Sequence, residues 1–218
     1  MDRSASRSVV RESLVLGAAL LSVVLCGTAS AAAPGDTRGT EATVAVARAS
    51  GEIGCPVVYF DLGETLLHTA DDGTTSYQRG AASYLRSLRE RHIRVGLITN
   101  VPSSWGTTDA ERAAKLKAEV DATWRGPVPF AWEDFGDRIL TPRAETERKP
   151  APILWQRAKA ESGPCRVVYQ AETAEEVMVA SSLGFVPYQV GRPHRPAFLP
   201  VGLIELLGAR GGGVMPGG

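Results

Sequence analysis

An apolar run that ends in an acidic residue is the most informative segment of the sequence. Val57 to Phe60 are four consecutive apolar, β-favouring residues, and Asp61 follows them directly. Such a run is typical of a strand buried on both faces, as in a parallel sheet. A carboxylate at the end of that strand can attack phosphorus and form an acyl phosphate. An aspartate after an apolar strand is also often only a turn residue or a helix cap, so Asp61 alone is weak evidence.

Two further groups suited to phosphoryl chemistry occur later in the chain. Thr99 and Asn100 follow a second apolar run, and the Thr99 hydroxyl could hold a phosphoryl oxygen. Lys149 precedes Pro150 at the start of a predicted helix. Its ammonium would balance the charge of the nucleophile and of the transferred phosphoryl group.

Segments of strand and helix character alternate between these residues. The predicted strands cover residues 57–60, 95–98, 138–140, 167–169 and 185–190. The predicted helices cover residues 79–92, 107–123, 151–161, 174–183 and 201–207, and residues 66–77 form a predicted hairpin. This alternation predicts a doubly wound α/β fold with a parallel sheet. Ligands of such folds bind outside the carboxyl ends of the strands, where Asp61 and Thr99 are expected to lie.

The order of the motifs resembles that of the haloacid dehalogenase (HAD) superfamily of hydrolases. The family's first motif, an apolar strand followed by Asp-x-Asp-Gly-Thr-Leu, is similar to residues 60–66. The second, an apolar strand followed by Thr or Ser and Asn, is similar to residues 95–100. The third, Lys-Pro-x-Pro before a helix, matches residues 149–152, and the resemblance covers about residues 55–207.

The resemblance implies a fold, an activity and a set of site residues. The family's fold is a Rossmann-like sheet with strand order 5-4-1-2-3, and most members are Mg²⁺-dependent phosphatases. Asp61 would be the nucleophile, Thr99 the phosphate-holding hydroxyl and Lys149 the charge-balancing lysine. Asn100 is expected to bind substrate, and the Asp61 carboxylate and the Gly63 backbone carbonyl are expected to bind Mg²⁺.

The first motif departs from the family pattern at two positions. The second aspartate, the general acid/base of the family's phosphatases, is Gly63 here, and the following glycine is Glu64. Some relatives have Asp-Leu-Gly-Asn at this point. Glu64 could serve as the acid if the turn directs it inward. It could equally be a solvated turn residue.

The fourth motif departs further. The position of the family's metal-binding aspartate falls on Ala171, and losing a carboxylate weakens a Mg²⁺ site. Glu172 is the predicted replacement ligand, and Glu175 or Glu176 in the first turn of the next helix are alternatives. Acidic residues are also favoured at a helix start by the helix dipole, without any metal.

The two cysteines of the domain test the resemblance independently. Cys55 lies six residues before Asp61, and Cys165 lies six residues before Ala171. In the family's strand order their two strands are neighbours, which would bring the cysteines level and about 5 Å apart. We therefore predict a Cys55–Cys165 disulfide. The alternative is a pair of buried free thiols.

The first residues predict export. Three arginines, an apolar stretch over residues 14–26 and small residues at 29–31 are typical of a secretory signal. We expect a signal peptide at 1–31, a flexible leader at 32–53, the HAD-like domain at 54–208 and a flexible tail at 209–218. The mature protein would be secreted or extracytoplasmic and free of the membrane. An uncleaved anchor helix is the alternative.

Composition limits the partners and the architecture. The 218 residues are 44% apolar and carry 24 basic and 24 acidic side chains. This composition excludes collagen-like, coiled-coil and wholly disordered classes, and the zero net charge gives no reason to expect a nucleic-acid partner. The chain has no room for a large cap domain. We expect an exported phosphatase with an open site for a phosphorylated small molecule or a flexible phospho-substrate, or else a catalytically impaired binding or structural module.

Overall fold

The computed structural model of the protein describes residues 55–209. The strands are β1 (Pro56–Phe60), β2 (Leu67–Thr69), β3 (Thr75–Tyr77), β4 (Arg94–Ile98), β5 (Ile139–Leu140), β6 (Arg166–Ala171) and β7 (Val186–Gln189). The helices are α1 (Ala81–Glu90), α2 (Asp109–Thr123), α3 (Ile153–Ser162), α4 (Ala174–Ser182) and α5 (Val201–Ala209). Short 3₁₀ turns lie at Ser103–Trp105, Trp132–Asp134 and Glu145–Glu147.

Five parallel strands form one sheet in the order β5-β4-β1-β6-β7. Numbered within this sheet along the chain, the order is 3-2-1-4-5, and from the opposite edge it reads 5-4-1-2-3. The predicted α/β fold and strand order are therefore confirmed. The segment between β1 and β4 holds only the predicted hairpin, β2 with β3, and helix α1. Within residues 55–209 no separate cap domain covers the sheet edge.

The side chains of β1 alternate between two apolar layers, one on each face of the sheet. Val58 and Phe60 pack with residues of α1, α2 and α5, whereas Val57 and Tyr59 pack with residues of α3 and α4. All four side chains are buried, which explains why β1 is apolar without alternation. Helices thus cover both faces of the sheet, as the doubly wound fold requires.

The strand register aligns the residues at the carboxyl edge of the sheet. Phe60 pairs with Leu97 of β4 and with Gln170 of β6. One residue further along, Asp61 is level with Ile98 on one side and with Ala171 on the other. The Asp61 N–H donates to the Gln170 carbonyl at 3.0 Å, so the β6 pairing continues to Asp61.

At the amino ends of the strands, on the side of the sheet away from Asp61, a disulfide joins Cys55 to Cys165, as predicted. Their Cα atoms are 4.9 Å apart and the residues are 110 positions apart in sequence. The neighbouring pair Pro56 and Arg166 is in register, and the Arg166 N–H donates to the Cys55 carbonyl at 3.1 Å. The bond therefore links two adjacent parallel strands at their amino ends.

The predicted signal peptide, leader and the last nine residues lie outside the described residues. The domain limits 54–208 remain a prediction. Among residues 55–209, no helix combines the length and apolar character that a membrane crossing needs.

Candidate active site

Asp61 lies at the end of β1 with a small part of its side chain exposed. The exposed fraction of this side chain is 16%. Its Oδ1 accepts a hydrogen bond from the Lys149 ammonium. Its Oδ2 accepts only a long contact of 3.4 Å from the Thr65 hydroxyl. The two oxygens therefore differ, because one is held by a cation and the other is nearly free.

Lys149 is the buried cation of the site, with 2% of its side chain exposed. Besides Asp61, its ammonium donates to Glu176 Oε2 at 2.8 Å. The Asn100 amide fixes the Lys149 backbone: Asn100 Nδ2 donates to the Lys149 carbonyl at 3.1 Å, and the Lys149 N–H donates to Asn100 Oδ1 at 2.9 Å. Asn100 thus positions Lys149, and its predicted contact with substrate remains a prediction.

Sequence reasoning missed Glu176 as a partner of Lys149, because it considered this residue as a metal ligand or as an acid favoured at a helix start. The available signal was its place in the first turn of α4, next to the edge where β6 ends. The Tyr169 hydroxyl also donates to Glu176 Oε2, at 2.7 Å. The pKa of Tyr169 is raised well above its usual value, mainly by burial and to a smaller extent by the negative charges of Asp61 and Glu176. Tyr169 therefore keeps its proton and acts as a donor.

The buried part of the site carries a net negative charge. Two carboxylates, Asp61 and Glu176, share one ammonium, that of Lys149. Both carboxylates are largely removed from water, so solvent screens this charge less than at the surface. A phosphate ester bound beside Asp61 would add negative charge. A bound cation would therefore favour substrate binding.

Thr99 follows β4 and supplies an unengaged hydroxyl. Its backbone N–H donates to the Leu140 carbonyl at 3.1 Å, which fixes its main chain to β5. Within the described part of the chain, its hydroxyl makes no hydrogen bond, and the residue is 6% exposed. Thr99 is one position beyond Ile98, the residue level with Asp61. The hydroxyl is therefore available to donate to an acceptor such as a phosphoryl oxygen.

Glu64 is directed to the hairpin. Its carboxylate hydrogen-bonds His68 Nδ1 at 3.0 Å and accepts from the Thr69 N–H at 2.9 Å. The hydrogen bond with His68, followed by that from Thr69, lowers the pKa of Glu64. A carboxyl group with a lowered pKa is a poorer proton donor. The backbone of Glu64 has φ +49°, and this turn geometry sets the direction of its side chain.

The fourth-motif position beside Asp61 is occupied by alanine, whose side chain is only a methyl group. Ala171 is level with Asp61 and fully buried. Glu172 is exposed, its carboxylate accepts from the Thr173 hydroxyl at 3.2 Å, and its N–H donates to Thr65 Oγ1 at 3.0 Å. Thr65, which sequence reasoning also missed, thus connects Asp61 to the segment after β6. Its signal was its place within the first motif, four residues after Asp61.

Strand order and motif positions agree with the fold that the HAD resemblance implies. The parallel order 5-4-1-2-3 brings Asp61, Thr99 and Lys149 to one carboxyl edge. This strand order is the one that the resemblance to the HAD superfamily implies. Within this sheet, Asp61 and Lys149 are in direct contact, although they are 88 positions apart in sequence.

Three solved structures are similar to this chain at low identity, and two of them are described as HAD proteins. A HAD family enzyme from Bacteroides thetaiotaomicron, an aspartate-to-alanine mutant in complex with magnesium and inorganic phosphate, is 14% identical, with a TM-score of 0.43 over 65% of this chain and 97% of that one. A candidate HAD-like phosphatase from Mesorhizobium loti is 13% identical, with a TM-score of 0.44 over 72% and 85%. An uncharacterized protein from Listeria monocytogenes serotype 4b is 14% identical, with a TM-score of 0.46 over 67% and 88%. No family model and no curated protein matches the sequence.

Asp61 offers one oxygen donor to a weakly held Mg²⁺. Within residues 55–209, no three His, Cys, Asp or Glu side chains cluster as a metal site. Mg²⁺ often binds through only one or two carboxylates, with phosphate oxygens and water completing its octahedron. The Asp61 carboxylate has one nearly free oxygen, whereas the Glu172 carboxylate is exposed and contacts Thr173. One available oxygen at Asp61 suits Mg²⁺ binding that depends on a bound phosphate.

Proposed function

We propose that this protein is an exported HAD-type phosphoric monoester hydrolase that uses Asp61 as its nucleophile. The observation that carries the proposal is the buried Lys149 ammonium in contact with Asp61. A buried lysine beside a partly exposed carboxylate would stabilise negative charge on the nucleophile and on a phosphoryl group held by that nucleophile.

The different contacts of the two Asp61 oxygens support Oδ2 as the attacking atom. Oδ1 is held by Lys149, and Oδ2 is the oxygen that attacks phosphorus. The new bond joins Oδ2 to phosphorus while the bond from phosphorus to the leaving oxygen breaks. Water then hydrolyses the resulting acyl phosphate, which releases phosphate and restores Asp61. The Thr99 hydroxyl donates to a phosphoryl oxygen, and Asn100 keeps Lys149 in place.

Within residues 55–209, neither Gly63 nor Glu64 of the first motif supplies a strong proton donor for the leaving group. Gly63 has no side chain, and the carboxyl of Glu64 has a lowered pKa and faces the hairpin. An alkyl ester would therefore have to release an unprotonated alkoxide, which is a poor leaving group. A phenolate, in contrast, is stable enough to leave without protonation. The predicted substrates are accordingly phosphate esters of acidic alcohols such as phenols.

Mg²⁺ would be held by the Asp61 carboxylate, the Gly63 carbonyl and Glu172. When bound, it would supply charge neutralisation for the phosphate ester. This contribution matches the net negative charge of the Asp61, Lys149 and Glu176 group.

The Cys55–Cys165 disulfide supports the proposed export. Structural disulfides persist in oxidising compartments and are rare in the cytosol. The proposed signal peptide at 1–31 agrees with this location.

A catalytically impaired binding module is the second candidate. It is favoured by Gly63 and Ala171, which remove two carboxylates that the family's phosphatases use. In that case Asp61 and Lys149 would be retained as a polar site that binds a ligand without turnover.

Hydrolysis of phenyl phosphate, with and without Mg²⁺, tests the proposal. We expect Mg²⁺-dependent turnover that falls by about a thousandfold or more in Asp61→Asn. Asp71→Asn, which changes an exposed aspartate at the hairpin turn, is the matched control and should keep full activity. Equal background rates in all three proteins would contradict the hydrolase and favour the binding module.

A further inference from the structure

A cavity of about 370 Å³ adjoins the Asp61 site. Thr65, whose hydroxyl contacts Asp61 Oδ2, is one of its lining residues. The other walls come from the start of α1 and from the segment after β7. The cavity therefore lies next to a residue that contacts Asp61. Its volume lies in the range of small-molecule sites, roughly 300 to 1,000 Å³.

The floor of the cavity is apolar and well packed. Phe198 and Val190 line it and are themselves almost fully buried. The Phe198 ring stacks on Tyr84, with ring centroids 4.6 Å apart and planes 12° apart. The Tyr84 hydroxyl is tied down by donating to the Leu199 carbonyl at 2.6 Å. A preformed aromatic floor of this kind suits a planar apolar ligand.

Arg79 is exposed and lines the cavity, where it provides a charged group at the rim. Within residues 55–209, the Arg79 guanidinium has neither an ion pair nor a hydrogen bond. Nearby arginines are engaged: Arg192 donates to Gln189 at 2.8 Å, and Arg195 stacks on the Tyr188 ring at 4.5 Å. Arg79 therefore offers an unused fork of donors that matches a carboxylate.

The one acidic residue of the lining does not compete for Arg79. Glu64 borders the cavity, but its carboxylate is held by His68 and by the Thr69 N–H. The cavity thus combines an apolar floor with one available positive charge.

We propose that this cavity binds the leaving group of the substrate, and that this group is an aromatic ring carrying a second anionic substituent. The inference rests on the proposed function, because the phosphate of such an ester would lie at Asp61. The ring would pack on Phe198 and the anionic substituent would pair with Arg79. An aryl oxide is also the leaving group that the missing proton donor favours.

Steady-state kinetics of two matched esters test the inference on the full chain. Phenyl phosphate and 4-carboxyphenyl phosphate differ only in the carboxylate. We expect the carboxylated ester to have the lower KM, and Arg79→Ala to raise that KM by about three- to tenfold more than the KM of phenyl phosphate. Arg86→Ala, an exposed arginine of α1 outside the cavity, is the control and should change neither KM.

Filling the cavity gives a second, independent variant. Ala197 is an exposed lining residue, and Ala197→Leu should raise the KM of both aryl esters. Equal KM values for the two esters, with no specific effect of Arg79→Ala, would overturn the inference even if turnover is observed.

Binding of the product analogue 4-hydroxybenzoate separates this inference from the proposed function. Its affinity, followed by NMR, should exceed that of phenol in wild type and fall in Arg79→Ala. If no ester is hydrolysed but this difference is found, the cavity assignment stands and the hydrolase proposal fails. If 4-hydroxybenzoate and phenol bind equally, the cavity assignment fails.

Discussion

The Glu176 carboxylate accepts a hydrogen bond from the Lys149 ammonium at 2.8 Å, so the cation that balances Asp61 is shared by two carboxylates. Tyr169 partly offsets this sharing, because its hydroxyl donates to the same Glu176 oxygen. The edge of the sheet at Asp61 is thus held by a buried polar network. Removing the Lys149 ammonium would leave two largely buried carboxylates without a cation.

Replacing Lys149 should destabilise the fold. Lys149→Met leaves Asp61 and Glu176 without their cation, and the free energy of unfolding should fall by about 3 kcal/mol. Urea unfolding followed by circular dichroism measures this change. Lys115→Met is the matched control, because Lys115 forms an exposed pair with Glu119 and should contribute less than about 1 kcal/mol. An unfolding midpoint equal to that of wild type would show that the network does not stabilise the fold.

Restoring the missing acid should increase turnover. A Cβ atom added at Gly63 would meet no atom within 4 Å, and the φ of Gly63 lies outside the left-handed region, so the fold should accept Gly63→Asp. A positioned general acid contributes about 10²- to 10⁴-fold, and we expect a gain of at least about tenfold with ethyl phosphate, whose alkoxide leaves poorly without a proton. Gly63→Asn has the same shape without the acid and should show no such gain. Equal rates in the two variants would exclude proton transfer at this position.

Four tyrosines should make the fold sensitive to alkali. Burial is the main cause that raises the pKa values of Tyr59, Tyr77, Tyr84 and Tyr169 above the usual 10.0. Above pH 10 the unfolded chain therefore loses these protons while the folded chain keeps them, and the free energy of unfolding falls as pH rises.

Phenolate absorbance and circular dichroism, recorded in one alkaline titration, check this prediction. The four tyrosines should ionise together with unfolding, and in concentrated urea they should titrate near their usual pKa. Full ionisation of all five tyrosines close to pH 10 in a folded protein would contradict the burial assigned to them.

Removing the disulfide should lower stability. Cys55 and Cys165 are 110 positions apart in sequence, and a bond that closes a loop of this length restricts the unfolded chain strongly. The double variant Cys55→Ser with Cys165→Ser should lose about 2 to 5 kcal/mol of unfolding free energy. Thiol titration of unreduced, denatured wild type should detect no thiol other than that of Cys26. Two additional reactive thiols would contradict the bond.

Local pattern was sufficient to predict the strands and the edge that they share. Val57 to Phe60 are apolar because both faces of a central parallel strand are buried, and burial of this kind is visible in sequence. Once the resemblance supplied the strand order, it also placed Asp61 and Thr99 at one edge and paired Cys55 with Cys165. These features depend on chain direction and strand neighbours, which the alternation of strands and helices largely determines.

Contacts made by the side chains after the strands depended on the tertiary structure. Glu64 faces His68 because of a turn with φ +49°, which composition does not reveal. Glu176 reaches Lys149 across 27 positions, and Lys149 reaches Asp61 across 88. Such contacts form only when separate loops pack at one edge. The sequence alone determined which residues end the strands, and only the packed structure decided which of them share a proton or a charge.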